Sequence, residues 1–401
     1  MHEQGNIWWG QPKKFSTDSG ERKISWLELF YDLVYVIVIS RTTQLFVQHT
    51  TLDGVINYMY FFAMIFWSWY NGSQYHDLHG SPGIRTRFMT LWQMVAVAAL
   101  AVTLNSPADK FVYRATISIA VLQVFITYLW WSVGIYDKEH RKLNTPYTVC
   151  YLLALALIVA TLYIPQPYKR IVFWATLVLN YLPPLIARGR LHAIGITFSL
   201  SSSMVERLGL LVIIVFGEAI LGVINGMGMY TDMNATSWCC LVLGIIITFA
   251  LWWIFFSLIA DRNSKPGYLP GYIMSVFYIP AIASLGMAGA CFPGIMKDLQ
   301  PDTAQWAVVP HMLFGVSLSV FLVCICLISR FLVYPQQYSK AKYTLQRLLL
   351  IVAAGITLFT WLLPHLSLLP YLICVFLMLL TIIIIITMGW FRVQLRKMSE
   401  L

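Results

Sequence analysis

Apolar residues in this chain come in long continuous runs, not in the two-residue alternation of half-buried strands. A helix needs about 20 apolar residues to cross the hydrocarbon of a bilayer. Runs of that kind fall at 25–48, 55–75, 86–104, 111–136, 145–163, 170–187, 202–226, 236–260, 270–294, 306–331, 344–363 and 367–391. They predict about twelve transmembrane helices. The missing alternation argues against a barrel. Pro183-Pro184 is predicted to kink or end the sixth run. The first 24 residues are polar, with no short apolar segment and cleavage site before the first run. The first helix is therefore expected to direct insertion itself.

Composition sharpens this to a polytopic membrane protein. Of the 401 residues, 59% are hydrophobic and only 11% charged, too few to cover a water-facing surface. The net charge of +10, from 27 Lys+Arg against 17 Asp+Glu, then needs another reading than nucleic-acid binding. Counted on alternate sides of the twelve runs, 19 basic residues fall on the side of both termini and 4 on the other. That asymmetry predicts cytoplasmic termini and an even number of spans. Seven cysteines, at 150, 239, 240, 291, 324, 326 and 374, lie in or beside apolar runs. They are read as small buried helix residues, and no metal site or cofactor is expected.

The two halves resemble each other. A shift of 178 residues lays Glu28 on Glu206, Val34 on Val212 and Ser40 on Glu218; a shift of 185 lays Trp67 on Trp252. This predicts two six-helix parallel repeats, 25–187 and 202–391, joined by a cytoplasmic linker at 188–201. A cytoplasmic segment, 1–24, precedes them and a tail, 392–401, follows. Transporters built this way carry their site between the halves.

Charges inside the runs carry the candidate chemistry. Helix one holds Glu28, Asp32 and Arg41; helix seven holds Glu206, Arg207 and Glu218. Each charge costs about 2.5–3.5 kcal/mol at a helix centre on insertion scales, so these groups need partners, neutralisation or water. Glu28 and Asp32 are four apart and share a face. Arg41 is about half a turn out of phase with Asp32. Partners must therefore come from other helices, Glu28 with Arg207 for example. The functional reading is an ion path at Glu28, Asp32, Glu206 and Glu218, with Arg41 and Arg207 as counter-charges; the structural reading is a buried network that fixes helix register. Ser40, Trp67, Asn71, Asn180 and Trp252 could line a path, although such polar residues also serve as helix–helix hydrogen bonds. His76, Asp77 and His79 are expected in a solvated loop. Every lysine is placed in a loop, which excludes a mid-membrane Schiff base, and no hydrolase or P-loop motif occurs.

Two segments carry a resemblance. Trp26-Leu-Glu28-Leu-Phe-Tyr-Asp32-Leu-Val-Tyr-Val and Val205-Glu206-Arg207-Leu-Gly-Leu-Leu-Val-Ile-Ile-Val-Phe-Gly217-Glu218 resemble the two signature motifs of the bacterial low-temperature-requirement protein A (LtrA) family. The tryptophan-rich helices two and eight are similar too. Against that family's pattern, Ser203 and Tyr278 replace histidines, and Ser257 and Asn180 replace aspartates. The resemblance implies a proton relay pared down to the carboxylates at 28, 32, 206 and 218. It implies a role in cold growth but no substrate.

The expected protein is an all-α, twelve-helix inner-membrane protein that moves a small solute or ion, driven by a proton or cation gradient. Its partners are the lipid bilayer and that solute; nucleic acid is not expected, and a homo-oligomer is compatible. The alternatives are a membrane-embedded enzyme acting on a lipid or quinone, and a non-transporting sensor or assembly factor.

Overall fold

The computed structural model describes residues 11–14, 23–48, 51–81, 83–104, 108–165, 168–193, 199–228, 234–260, 262–299, 308–335 and 339–399. Among them the chain forms α1 (Trp26–Gln48), α2 (Leu52–His79), α3 (Ile84–Thr103), α4 (Ala108–Tyr136), α5 (Arg141–Ala160), α6 (Tyr168–Tyr181) and α7 (Pro183–Ala193). Then come α8 (Ser202–Met227), α9 (Ala235–Ile259), α10 (Tyr268–Met296), α11 (Val308–Arg330), α12 (Ser339–Leu362) and α13 (Leu368–Ser399). The described residues hold no strand, only an isolated antiparallel bridge between Ser264 and Leu332.

Local chemistry sets several helix ends. Thr51 caps α2 by accepting from the Gly54 amide at 3.1 Å, and Asn234 caps α9 by accepting from the Ser237 amide at 2.8 Å. Pro183-Pro184 divides the sixth apolar run into α6 and α7, because proline suits a helix's first turn and not its interior. The lysines placed in loops need correction: Lys110, Lys142 and Lys169 lie on the first turns of α4, α5 and α6, Lys340 and Lys342 on the first turn of α12, and Lys397 near the end of α13.

Eleven stretches among the described residues are long and apolar enough to cross a membrane, with α6 and α7 together forming one, Tyr168–Arg190. α2 is not one of them. Its 28 residues reach about 42 Å, but polar side chains interrupt its second half. Those side chains are inside the protein: Ser68, Asn71, Ser73, Gln74, His76 and His79 are all buried. His76, Asp77 and His79 thus lie on the last turns of a helix, and the loop expected there is corrected. Protein packing on the polar face of α2 keeps it out of water.

The chain forms two compact units, Met1–Arg207 with Pro266–Tyr272, and Leu208–Lys265 with Ile273–Leu401. In the first, α2 packs on α1, α4 and α6, while α1–α3, α3–α4, α4–α5 and α5–α6 are neighbours and α7 seats on α5 and α6. Gly72 permits a close approach here: a Cβ at that position would strike the Tyr31 hydroxyl. In the second unit α9 packs on α11 and α13, and α12 packs on both α11 and α13. A Cβ at Gly222 would strike the backbone of Gly289, so α8 and α10 touch through glycines. Apolar stripes at helical spacing remain exposed, such as Ile117, Val121 and Val124 on α4 and Val242, Ile246 and Phe249 on α9. Such stripes suit hydrocarbon. Cys239 is exposed and Cys374 half-buried, unlike the other five cysteines, which fit the buried positions read from the sequence.

Candidate functional site

The first unit buries a charged cluster on α1, α2 and the start of α8. Glu28 and Asp32 face inward together, as their four-residue spacing requires; Glu28 is 4% exposed, Asp32 0% and Arg207 1%. Arg207 grips Asp32 with both arms of its fork, Nε to Oδ2 at 3.3 Å and Nη2 to Oδ1 at 2.5 Å. The Trp69 indole donates to the same Oδ1 at 2.7 Å. The guanidinium carbon also lies 5.8 Å from the ring centres of both Tyr31 and Trp69, a cation–π arrangement. The contact with Glu28 is looser. Arg207 Nη1 makes no hydrogen bond and stands 3.8 Å from Glu28 Oε2. Ser25 hydroxyl donates to the other Glu28 oxygen at 3.1 Å and accepts from the Glu28 amide at 3.3 Å. This is half of a capping box at the first turn of α1. With all three groups ionised, the cluster carries one negative charge more than its arginine balances.

Neutral polar groups continue from it. Tyr31 hydroxyl lies 3.1 Å from that of Tyr35 and 3.2 Å from Gln93 Oε1. Asn71 donates to the Trp67 carbonyl at 2.9 Å and accepts from Tyr151 at 2.5 Å. Asn180 and Gln123 form a reciprocal amide pair at 3.0 and 3.2 Å. A cavity of about 40 Å³ follows, lined by Gln74, His79, Trp130, His140, Asn144 and Tyr268 among others. The buried Gln74 Oε1 and Trp130 Nε1 have no hydrogen-bond partner in the protein. Its volume suits one water, which these two polar atoms could bind.

The end of α2 is pinned by polar contacts. Ser201 and Ser203 donate to the two Asp77 oxygens at 2.6 and 2.5 Å. His79 Nδ1 lies 2.8 Å from the Lys13 carbonyl, so that nitrogen carries the proton. Burial pushes the His79 pKa down to about 4. Arg85, 1% exposed, donates to Tyr75 and, at 3.2 Å, to Ser132.

The sequence-derived residues therefore separate. Glu28, Asp32 and Arg207 meet, while Asn71, Asn180 and Trp67 are buried in the same unit. Arg41 is exposed and bonds Gln44 at 3.2 Å, and half-buried Ser40 accepts from the same Gln44 at 3.3 Å. Glu206 is exposed, and Glu218 is half-buried in the second unit. Trp252 is 37% exposed and stacks on Phe249 with ring centres 5.4 Å apart. Among the described residues no three His, Cys, Asp or Glu side chains gather to hold a metal. Sequence reasoning missed Trp69, Tyr31 and Arg85. The four-residue spacing of Tyr31 and Tyr35 beside Asp32 was a usable signal; Arg85, at a helix start, looked like one more topology charge.

Comparison with known proteins gives two matches. The model of the bacterial low temperature requirement A protein (LtrA) matches residues 23–386. An uncharacterized protein of Rhizobium meliloti (strain 1021), RA0937, is 23% identical over 290 residues, covering 68% of this chain and 69% of its own length.

Proposed function

The chain belongs to the bacterial low temperature requirement A family, and from that premise we propose that it is a twelve-span inner-membrane transporter or channel for a small solute or ion, coupled to protons or a monovalent cation. The observation that carries the reading is the buried cluster of two carboxylates and one arginine. Ionisable groups buried in a bundle interior mark ion paths far more often than chance placement would. Two acids share one arginine among the described contacts, and that is the feature a coupling ion would balance. Asp32 is saturated by the Arg207 fork and Trp69, whereas Glu28 holds its arginine only at 3.8 Å. Glu28 is therefore the group that takes up and releases the ion, and Asp32 with Arg207 holds the site in shape. Of the four carboxylates, the coupling role rests on these two.

The twelfth span in this reading is α2. Its length and its inward polar face support a crossing, and twelve spans agree with the even number that the charge asymmetry demands. Both termini are then cytoplasmic. Packing supports the two repeats: α9 with α11, α9 with α13, α11 with α12, and α12 with α13 are the counterparts of α2 with α4, α2 with α6, α4 with α5, and α5 with α6.

The test is proton flux into proteoliposomes loaded with a pH-reporting dye, under an imposed potential. The protein should accelerate flux over empty vesicles, and Glu28→Gln should lower it at least about ten-fold, the usual scale for a lost proton-transfer group. A wild-type rate equal to empty vesicles, or an unchanged Glu28→Gln rate, would overturn the assignment. One observation favours a second reading, a non-transporting protein locked by its charges: Asp32 is wholly enclosed in paired contacts. That reading predicts no flux from the wild type.

A further inference from the structure

The second unit holds a larger cavity, about 650 Å³, that the proposed ion site does not use. It lies where the end of α9, the start of α12 and residues 386–389 of α13 come together, and the loop residues Arg262 and Tyr334 complete it. The loops are fastened to each other. Ser264 and Leu332 form the isolated bridge, Lys265 amide donates to the Phe331 carbonyl at 2.7 Å, and Val333 amide donates to Asn263 at 3.0 Å. The cavity mouth is thus a built feature.

Its lining is divided by chemistry. Trp253, Phe256, Leu258, Leu345 and Ile386 make an apolar wall. At the other end Arg262 and Lys342 bracket the Tyr334 ring, with the guanidinium carbon 4.1 Å and the ammonium 4.4 Å from its centre. Lys265 is near enough to add its charge to theirs. No carboxylate belongs to the described lining. Arg262 donates once, from Nη2 to the Ser257 carbonyl at 3.3 Å, and its buried Nε has no hydrogen-bond partner. Cations gathered with no acid among the described lining residues repel one another, so an anion would stabilise this arrangement. The Tyr334 hydroxyl is already committed to the Leu258 carbonyl at 2.6 Å, which leaves Arg262 and Lys342 as the anion's ligands. The charge asymmetry of the sequence puts this end of the helices on the cytoplasmic side, where anionic lipid headgroups lie.

We propose that this cavity is a binding site for an anionic phospholipid of the cytoplasmic leaflet. Its phosphate sits against Arg262 and Lys342, and an acyl chain runs along Trp253, Phe256 and Ile386. A free phosphate would use the basic end and leave the apolar wall unsatisfied; a neutral lipid would do the reverse. Gly389 lines the cavity, and a Cβ there meets no atom within 4 Å, so a large side chain at this position fills the space without touching the cations.

The experiment uses the full chain in detergent, mixed with phosphatidylglycerol or phosphatidylcholine, with retained lipid counted by native mass spectrometry. Phosphatidylglycerol should be retained in preference to phosphatidylcholine, and a large excess of inorganic phosphate should not displace it. Neutralising one cation costs about five-fold, so Arg262→Gln with Lys342→Gln should weaken retention about thirty-fold. Gly389→Trp should abolish it with the cations intact. Elution volume and melting midpoint check the fold of each variant, and Gly389→Trp decides the matter if the double variant misfolds. Equal retention of the two lipids, retention unchanged in Gly389→Trp, or full displacement by inorganic phosphate would overturn the proposal. None of these outcomes depends on flux, so the lipid site and the ion path fail separately.

Discussion

Replacing Arg207 by methionine tests the charged cluster most directly. Methionine matches the arginine stem in length and removes only the guanidinium. Asp32 then loses both arms of the fork, at 3.3 and 2.5 Å, and keeps the Trp69 indole alone. Glu28, on the same face, loses the charge 3.8 Å away. Removing one partner of a buried ion pair costs about 3–5 kcal/mol, because the other charge stays buried without compensation. The contacts here are among the strongest of their kind, a bidentate fork at 0% exposure of the acid, so the upper part of that range applies. The pair itself is worth much less than its halves. Asp32→Leu combined with Arg207→Met removes both buried charges and leaves an apolar contact, an exchange that is often neutral. The double variant should therefore be more stable than either single one, which requires a coupling energy above the single-variant cost of about 4–5 kcal/mol. Equilibrium unfolding in mixed micelles, run as a double-mutant cycle, measures it. Coupling below about 0.5 kcal/mol would refute the reasoning, since residues in direct contact exceed that value.

Two further outcomes follow from the same unit. Asn180→Asp puts a charge opposite Gln123 in the amide pair, and at pH 8 it should destabilise by about 2.5–3.5 kcal/mol, with most of the loss recovered at pH 4 where the acid is neutral; pH-independent stability would refute it. His79, on the last turn of α2 beyond the segment 55–75 read as crossing, has a folded-state pKa pushed down to about 4 against an ordinary 6.5, so the unfolded chain binds the extra proton first. Its contribution is complete above pH 6.5 and is lost as pH falls through 4, and His79→Gln should flatten the melting midpoint over that window.

The sequence held most of the helices and one part of the site. Continuous apolar runs marked the eleven described stretches that are long and apolar enough to cross a membrane, because their outer and core-facing residues are both apolar. Pro183-Pro184 was legible as a break because a proline ring clashes with the turn before it and lacks the amide a helix interior needs, while it suits a helix's first turn. The Glu28–Asp32–Arg207 meeting was legible in outline: phase put the two acids together and denied them Arg41, leaving a second helix to supply the cation. The polar end of α2 was not legible. Buried serine, asparagine, glutamine and histidine are compositionally the same as a solvated loop, and only the packing of α4 and α6 on α2 distinguishes them. Glu206 and Trp252 match Glu28 and Trp67 in sequence position but not in burial: both are exposed while Glu28 and Trp67 are buried.

The unequal treatment of the two acids is what turns a buried ion pair into a candidate coupling site. Glu28 lies in the first turn of α1, where unpaired backbone amides favour a carboxylate and Ser25 supplies a bond. Asp32 lies one turn further along, about 6 Å deeper, beyond the reach of the helix end. Neutralising Asp32 would forfeit two charge-assisted bonds and leave Arg207 with Glu28 alone. The contacts described for Glu28 are looser: its arginine stands 3.8 Å away, and the Ser25 hydroxyl serves an acid or a carboxylate equally well because it can donate or accept. In the proposed ion path, charge would enter and leave at Glu28 while the Arg207–Asp32 fork stays closed. The same asymmetry explains why Glu28→Gln is the variant that separates transport from folding: it removes the exchanging charge while the contacts that fix Asp32 remain.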